Sequence, residues 1–206
     1  MGRIILVRHG ETEWNREERF RGRADIKLNE TGKKQAEAVA KRLRSKKISA
    51  IFTSPLKRAK DTASYISRSQ EIDLSPTEAL IDIDYGLWEG LAPEAVSEQF
   101  PGQYQMWLKN PYEAEIPEGE TVRAVEKRAN ALAKKIAHEY PDLTTVLVAH
   151  KVVNKILICS LLNISPSHFW QIEQSNCGLT ELNYRDGFFS LSFLNDTCHL
   201  DSLGNS

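Results

Sequence analysis

IILVRHGETEWN, residues 4–15, is an apolar run that stops abruptly on Arg8, His9 and Gly10. Ile4, Ile5, Leu6 and Val7 read as a short strand buried on both faces, because four consecutive apolar residues leave no polar side to turn to water. The end of such a strand is where open α/β sheets hold their ligands. A permanent cation beside an imidazole at that place suits attack on a phosphoryl group. The ring supplies a nucleophile, and the guanidinium forks onto the phosphoryl oxygens. Read alone, the stretch is equally a core strand followed by a polar turn.

Two further strand ends separate these readings. Ala50-Ile51-Phe52 is a second apolar run, and residues 54–62 (SPLKRAKDT) follow it. Ser54 before Pro55 predicts a helix capped by Ser, with Arg58 one turn in, at the positive end of the helix. Residues 144–150 (TTVLVAH) form a third apolar run ending on His150. Three strand ends that each present a cationic or ionisable side chain describe a phosphate pocket better than three unrelated turns.

Working outward, strands and helices alternate. Asn29 caps a helix that carries Ala36, Val39, Ala40 and Leu43 at helical spacing. Prolines 76, 93, 101, 111 and 117 break residues 71–120 into an irregular stretch, read as an inserted cap with short helices near 93–99 and 102–109. A long helix spans about 121–140, and another runs through 157–162. Two β-rich runs, 179–184 and 188–194, flank the turn Arg185-Asp186-Gly187. The pattern predicts a three-layer α/β/α fold with a mostly parallel central sheet, in one domain over residues 1–206 with the cap at about 71–120.

Composition agrees with a single enzyme-sized unit. The chain has 206 residues and a net charge of −1, which argues against a nucleic-acid protein. It contains no apolar stretch long enough to span a membrane and no basic-then-apolar leader. Cys159, Cys177 and Cys198 are odd in number and form no CxxC pair, so a reducing cytoplasm is the default location.

Several motifs, in order, carry a family resemblance: Arg8-His9-Gly10-Glu11-Thr12, Asn15, Leu28 to Gly32, Ser54-Pro55-Leu56 with Arg58-Ala59 and Thr62-Ala63, Gly86 to Gly90, and Ala149-His150. They cover about the first three-quarters of the chain, and it resembles the histidine phosphatase superfamily, which also holds the cofactor-dependent phosphoglycerate mutases. The resemblance implies an antiparallel edge strand in the C-terminal part of the sheet. It implies hydrolysis of a small phosphate ester through a phosphohistidine, with no metal and no cofactor. His9 is then the nucleophile, and Arg8, Arg58 and His150 stabilise the equatorial oxygens, with Asn15 as a neutral donor. The acid expected in the pattern LxExxxG falls on Asp82, one methylene shorter than the family's Glu, with Asp84 as runner-up.

Substrate contacts are expected from Thr12, Arg21, Gly22, Tyr85, Lys151 and His199. Lys151 departs from the family, which usually has Gly there; it is either an extra cation for an anionic substrate or a solvent-facing side chain. The stretch from Phe169 to Cys177 and the late His199 resemble the metal-independent phosphoserine phosphatases, although these carry His where this chain has Tyr85. L-phosphoserine is therefore one candidate substrate. A mutase is the alternative, but residues 91–120 contain Lys109 and no arginine, where mutases carry a paired-arginine grip. A non-catalytic phosphate-binding module is the third reading. No nucleic-acid or membrane partner is expected, and the chain reads as a monomer or homodimer. His138 and His168 are read as surface and packing residues.

Overall fold

The computed structural model describes residues 1–203. Strand β1 (Gly2–Arg8) divides the interior in two. Side chains alternate along a strand, so Ile4 and Leu6 face one side of the sheet and Ile5 and Val7 the other. On the Ile5 side pack α2 (Glu30–Leu43) and α3 (Lys57–Gln70), through Val39 and Leu43 of the first and Ala59, Ala63 and Ile66 of the second. On the Ile4 side pack α6 (Val122–Glu139) and α7 (Lys151–Leu161), with Trp88, Trp107 and Phe169 filling the space beyond them. This is the three-layer arrangement expected from the pattern.

The sheet runs β3 (Leu74–Pro76), β2 (Ile48–Thr53), β4 (Thr144–Ala149), β1, β5 (Leu179–Arg185), β6 (Phe188–Asp196). The first four are parallel. The antiparallel part is the C-terminal hairpin at one edge: β5 runs against β1, and β6 turns back outside it. Register decides which side chains meet at the strand ends. Arg8 stands opposite Ala149, and Thr53 opposite Val148. The next residues, His9, His150 and Ser54, therefore emerge together at the C-terminal edge of the central strands.

Two local expectations change. Helix α3 begins at Lys57, with Leu56 extended before it, so Ser54 does not cap the helix. Arg58 is consequently its second residue rather than one turn in. Helix α7 starts directly after His150, with Lys151 as its first residue, and runs through residue 157 to Leu161. Residues 71–120 are not wholly an insertion, because Leu74–Pro76 pair with β2 as the edge strand. The remainder includes two short helices, α4 (Pro93–Gln99) and α5 (Pro101–Lys109), each with Pro in its first turn. Among the described residues, no helix is long and apolar enough to cross a membrane.

The loop after β1 is pressed against the start of α2. A Cβ on Gly10 would lie 2.5 Å from the carbonyl oxygen of Gly32, so neither backbone can carry a side chain there. Asn29 fastens the contact: its Oδ1 accepts the Gly32 N–H at 2.8 Å, and its Nδ2 donates to Glu11 Oε1 at 2.8 Å. Asn29→Ala removes both bonds. It is expected to destabilise the protein by about 1 kcal/mol, the usual value of such a cap, read as a lower denaturation midpoint with unchanged m-value.

Candidate active site

His9 ends the central strand and is 1 % exposed. Its Nδ1 lies 2.7 Å from the carbonyl oxygen of Gly10, an acceptor only, so Nδ1 carries the ring proton and Nε2 keeps a lone pair. Burial, reinforced by Arg58 and Arg8, pushes its pKa well below the ordinary histidine value. The imidazole is therefore neutral at pH 7. Its backbone is held on both sides, by N–H to Ala149 O at 3.0 Å and by Asn176 Nδ2 to its carbonyl at 2.9 Å.

His150 lies across from it, with ring centroids 5.2 Å apart. Its Nε2 is 2.8 Å from Ser54 Oγ, which is the work Ser54 does in place of capping. Its Nδ1 is buried without a hydrogen-bond partner, and Asp82 Oδ2 stands 3.4 Å away. Burial and then Arg58 push the His150 pKa down as well, so this ring acts as a neutral hydrogen-bonding group rather than the cation its strand-end position suggests.

Arg58 is fully buried. Its Nη1 donates to Ala24 O and its Nη2 to Gly22 O, each at 2.7 Å, and Nη2 also reaches Asp82 Oδ2 at 3.1 Å. Asp82 thus touches both Arg58 and His150 despite its short side chain. Its loop is tied down from α6 by Arg128, whose Nη2 donates to the Asp82 carbonyl at 3.2 Å and to Glu120 Oε2 at 2.9 Å. Burial raises the Asp82 pKa, against the pull of Arg58 and Arg21. A carboxyl that keeps its proton to higher pH suits a general acid.

Beside Asp82 opens a cavity of about 480 Å³, lined among others by Arg8, Asn15, Arg21, Asp82 and Tyr85, while His9, Arg58 and His150 are buried and are not part of its wall. Arg8 is anchored through Nη1 to Gln174 O at 2.7 Å, and Arg21 through Nη1 to Trp14 O and Arg19 O, both at 3.1 Å. Each leaves its buried Nε without a protein partner. Thr12 donates its N–H and hydroxyl to Asn15 Oδ1, at 3.0 and 2.9 Å, which leaves the Asn15 amide N–H groups free as donors. The arrangement presents several donors and two guanidinium groups to one space, a setting for an anion with several acceptor oxygens.

The other expected contacts divide. Tyr85 and Lys151 line the cavity. Thr12 is buried behind Asn15, and Gly22 serves Arg58 through its carbonyl, so neither is part of the cavity wall. His199 is also absent from the wall: its Nε2 is 3.1 Å from the carbonyl oxygen of Cys177, the residue after Asn176. Asp84 turns outward, accepting the Gly86 N–H at 2.9 Å and facing Arg23 at 3.3 Å, as a turn-stabilising carboxylate does. His138 is exposed, and so is His168; the buried member of that stretch is Phe169.

Part of the remaining wall comes from the Phe169–Cys177 stretch, and part from outside every motif. Tyr104, Trp107, Phe169, Trp170, Lys155 and Asn176 all line the cavity. Of Tyr104, Trp107 and Lys155, which lie outside the motifs, only Lys155 carries a local signal, as a charge within the apolar run Val152-Val153-Asn154-Lys155-Ile156-Leu157.

Known proteins are similar to the chain over nearly its whole length. The family model described as histidine phosphatase superfamily (branch 1) matches residues 4–197. Phosphoserine phosphatase 1 of Hydrogenobacter thermophilus is 33 % identical over 200 residues, covering 97 % of this chain and 95 % of that protein. Among solved structures, Bacillus stearothermophilus YhfR superposes with a TM-score of 0.92 at 28 % identity, covering 97 % of this chain and 100 % of that one. A mutant phosphoserine phosphatase from Entamoeba histolytica, in complex with phosphoserine, superposes with a TM-score of 0.87 at 30 % identity, with coverage of 97 % and 100 %.

Proposed function

The chain belongs to the histidine phosphatase superfamily, and from that premise we propose that it hydrolyses a small phosphomonoester through a phosphohistidine on His9. The observation that carries this reading is the fixed tautomer of His9 beside Arg8, Arg58 and His150. A neutral ring whose Nδ1 proton is held by Gly10 can attack only through Nε2.

In the first step Nε2 donates its lone pair to phosphorus, and the bond to the leaving oxygen breaks. Asp82 gives that oxygen its proton, and the alcohol departs. In the second step water attacks the phosphohistidine, Asp82 takes the water's proton back, and Nε2 leaves with its electron pair. Arg8, Arg21, Arg58 and the Asn15 amide are positioned to hold the equatorial oxygens as charge develops on them, typically the largest catalytic contribution. In a protonated Asp82 the carboxyl no longer competes as an anion for Arg58, which frees that guanidinium for the phosphoryl group.

L-phosphoserine is the first ester to test, because phosphoserine phosphatases of two organisms are similar over nearly the whole chain. The test is phosphate release from a panel of phosphorylated metabolites, with 3-phosphoglycerate isomerisation followed alongside. Release without isomerisation is expected; isomerisation outrunning release would make the chain a mutase.

The guanidinium groups take the place that a divalent cation holds in other phosphatases. Activity is therefore expected to survive exhaustive chelation, and vanadate to inhibit by imitating five-coordinate phosphorus. Loss of activity in chelator, restored by magnesium or zinc, would refute metal independence.

A further inference from the structure

Lys155 is 1 % exposed, yet its residue forms part of the cavity wall. Its Nζ stands 5.1 Å from the Phe169 ring centroid and 4.9 Å from that of Trp170. No carboxylate lies within ion-pair distance of it among the described residues. Lys151, one turn earlier on the same helix, also lines the cavity and is likewise without an ion pair. Two aromatic faces recover only part of what an ammonium loses on leaving water. Glu173 favours the ammonium as well, but from beyond ion-pair distance, so an anion entering the cavity stabilises the buried lysine further.

The phosphoryl group does not need these lysines. Its oxygens have Arg8, Arg58, His150 and Asn15 at the strand ends. Helix α7 runs away from that point, and four residues advance about 6 Å along its axis. Side chains lean back toward the helix N-terminus, which brings the Lys155 ammonium over the cavity beyond Lys151. The wall around them is Trp107, Leu108, Phe169 and Trp170, which offers no competing acid. The carboxylates that do line the cavity, Glu11, Glu18 and Asp82, belong to the loops after β1 and β3.

We infer that Lys155, with Lys151 before it, forms a subsite for a second anionic group, and that the preferred substrates are phosphomonoesters bearing a carboxylate a few bonds from the reacting phosphate. Burial, and then the neighbouring Lys151, pull the Lys155 pKa down to about 8, and an arriving carboxylate would raise it again. The subsite rests on the phosphatase reading of the cavity and names what that cavity selects.

Matched esters test it. O-phosphoserine and O-phosphoethanolamine differ only in the carboxylate, as do 3-phosphoglycerate and glycerol 3-phosphate at their oxidised carbon. The wild-type protein is expected to favour the carboxylate member of each pair in kcat/KM by about tenfold or more. Lys155→Met keeps the length of the stem and its packing on Phe169 and Trp170; it should lower that ratio about tenfold, through KM. Lys155→Arg should retain most of the preference, and Lys151→Gln should reduce it less.

Thermal melts establish that each variant is folded. If Lys155→Met is not, Lys151→Gln and Lys155→Arg carry the comparison. No preference in the wild type, or an equal fall for both members of a pair in Lys155→Met, would overturn the subsite. If p-nitrophenyl phosphate is not hydrolysed either, the phosphatase reading itself has failed. Calorimetric titration with O-phosphoserine and O-phosphoethanolamine then decides the subsite by affinity alone.

Discussion

His9→Ala is expected to abolish turnover, by about 10⁴–10⁶-fold, the range seen when a covalent nucleophile is removed from an enzyme. The phosphoryl-holding groups do not depend on the imidazole: Arg8 is anchored on Gln174 O, Arg58 on Gly22 O and Ala24 O, and His150 on Ser54. The variant should therefore fold and still bind phosphate esters while losing the chemistry. The wild-type protein, quenched in acid or base during turnover, should carry a covalent phosphoryl group that is stable in base and labile in acid, as phosphoramidates are. The variant should carry none. Near-normal hydrolysis by His9→Ala would exclude the covalent route and leave direct attack by water.

Asp82→Asn separates the acid from the rest of the machinery. Alkyl phosphates leave as basic alkoxides and need a proton, so their hydrolysis should fall about 10²–10⁴-fold. p-Nitrophenyl phosphate leaves as a stable phenolate and should change far less. The pH profile gives a second reading. His9 has a depressed pKa, so the attacking ring stays neutral well into acid. The Asp82 pKa is raised, so its proton is lost only as pH climbs past the ordinary carboxylate range. Rate on alkyl phosphates should decline through that raised pKa, and the decline should vanish in Asp82→Asn. Asp84→Asn should be mild, since Asp84 spends its oxygens on Gly86 and Arg23. The reverse pattern would move the acid two residues along the chain.

What is legible in the sequence is whatever a strand end announces locally. Arg8, His9 and His150 each follow an apolar run, and parallel strands in register bring such ends to one edge. Arg58 is legible through the short run before it, even though Ser54 is not the cap of its helix. Ser-Pro is a frequent helix start, but here Ser54 ends the strand beside the one that leads to His150, and its hydroxyl is taken by that ring. Nothing in a linear sequence shows that competing partner.

Much of the cavity wall is not legible as a wall, for a different reason. Trp107 comes from α5 and Phe169 and Trp170 from the turn Pro166–Gln171, and they meet only in the fold, through edge-to-face packing with the Trp107 and Trp170 rings 5.5 Å apart and through the Trp170 indole N–H, which donates to the Trp107 carbonyl at 3.1 Å. An aromatic residue in a core and one at a cavity rim have the same sequence signature. His199 shows the converse: a late histidine that fits a family pattern, yet its Nε2 lies 3.1 Å from the Cys177 carbonyl, a contact no sequence pattern announces.

The placement of β1 also dictates when the site can exist. Its two neighbours in the sheet are β4 and β5, which begin at residues 144 and 179. Arg8 is further clamped by its carbonyl to Cys177 N–H at 3.0 Å. On the ribosome the strand that carries the nucleophile is made first and stays unpaired until most of the chain has followed it. Pairings of such long sequence separation fold slowly, because the loop must close before any contact stabilises it. For that interval Ile4 to Val7 form a bare apolar strand, the kind of segment that binds chaperones or another unfinished copy. A product stalled before residue 144 would hold His9, Arg58 and Asp82 and have no partner strand to align them. Activity should therefore appear all at once, late in synthesis.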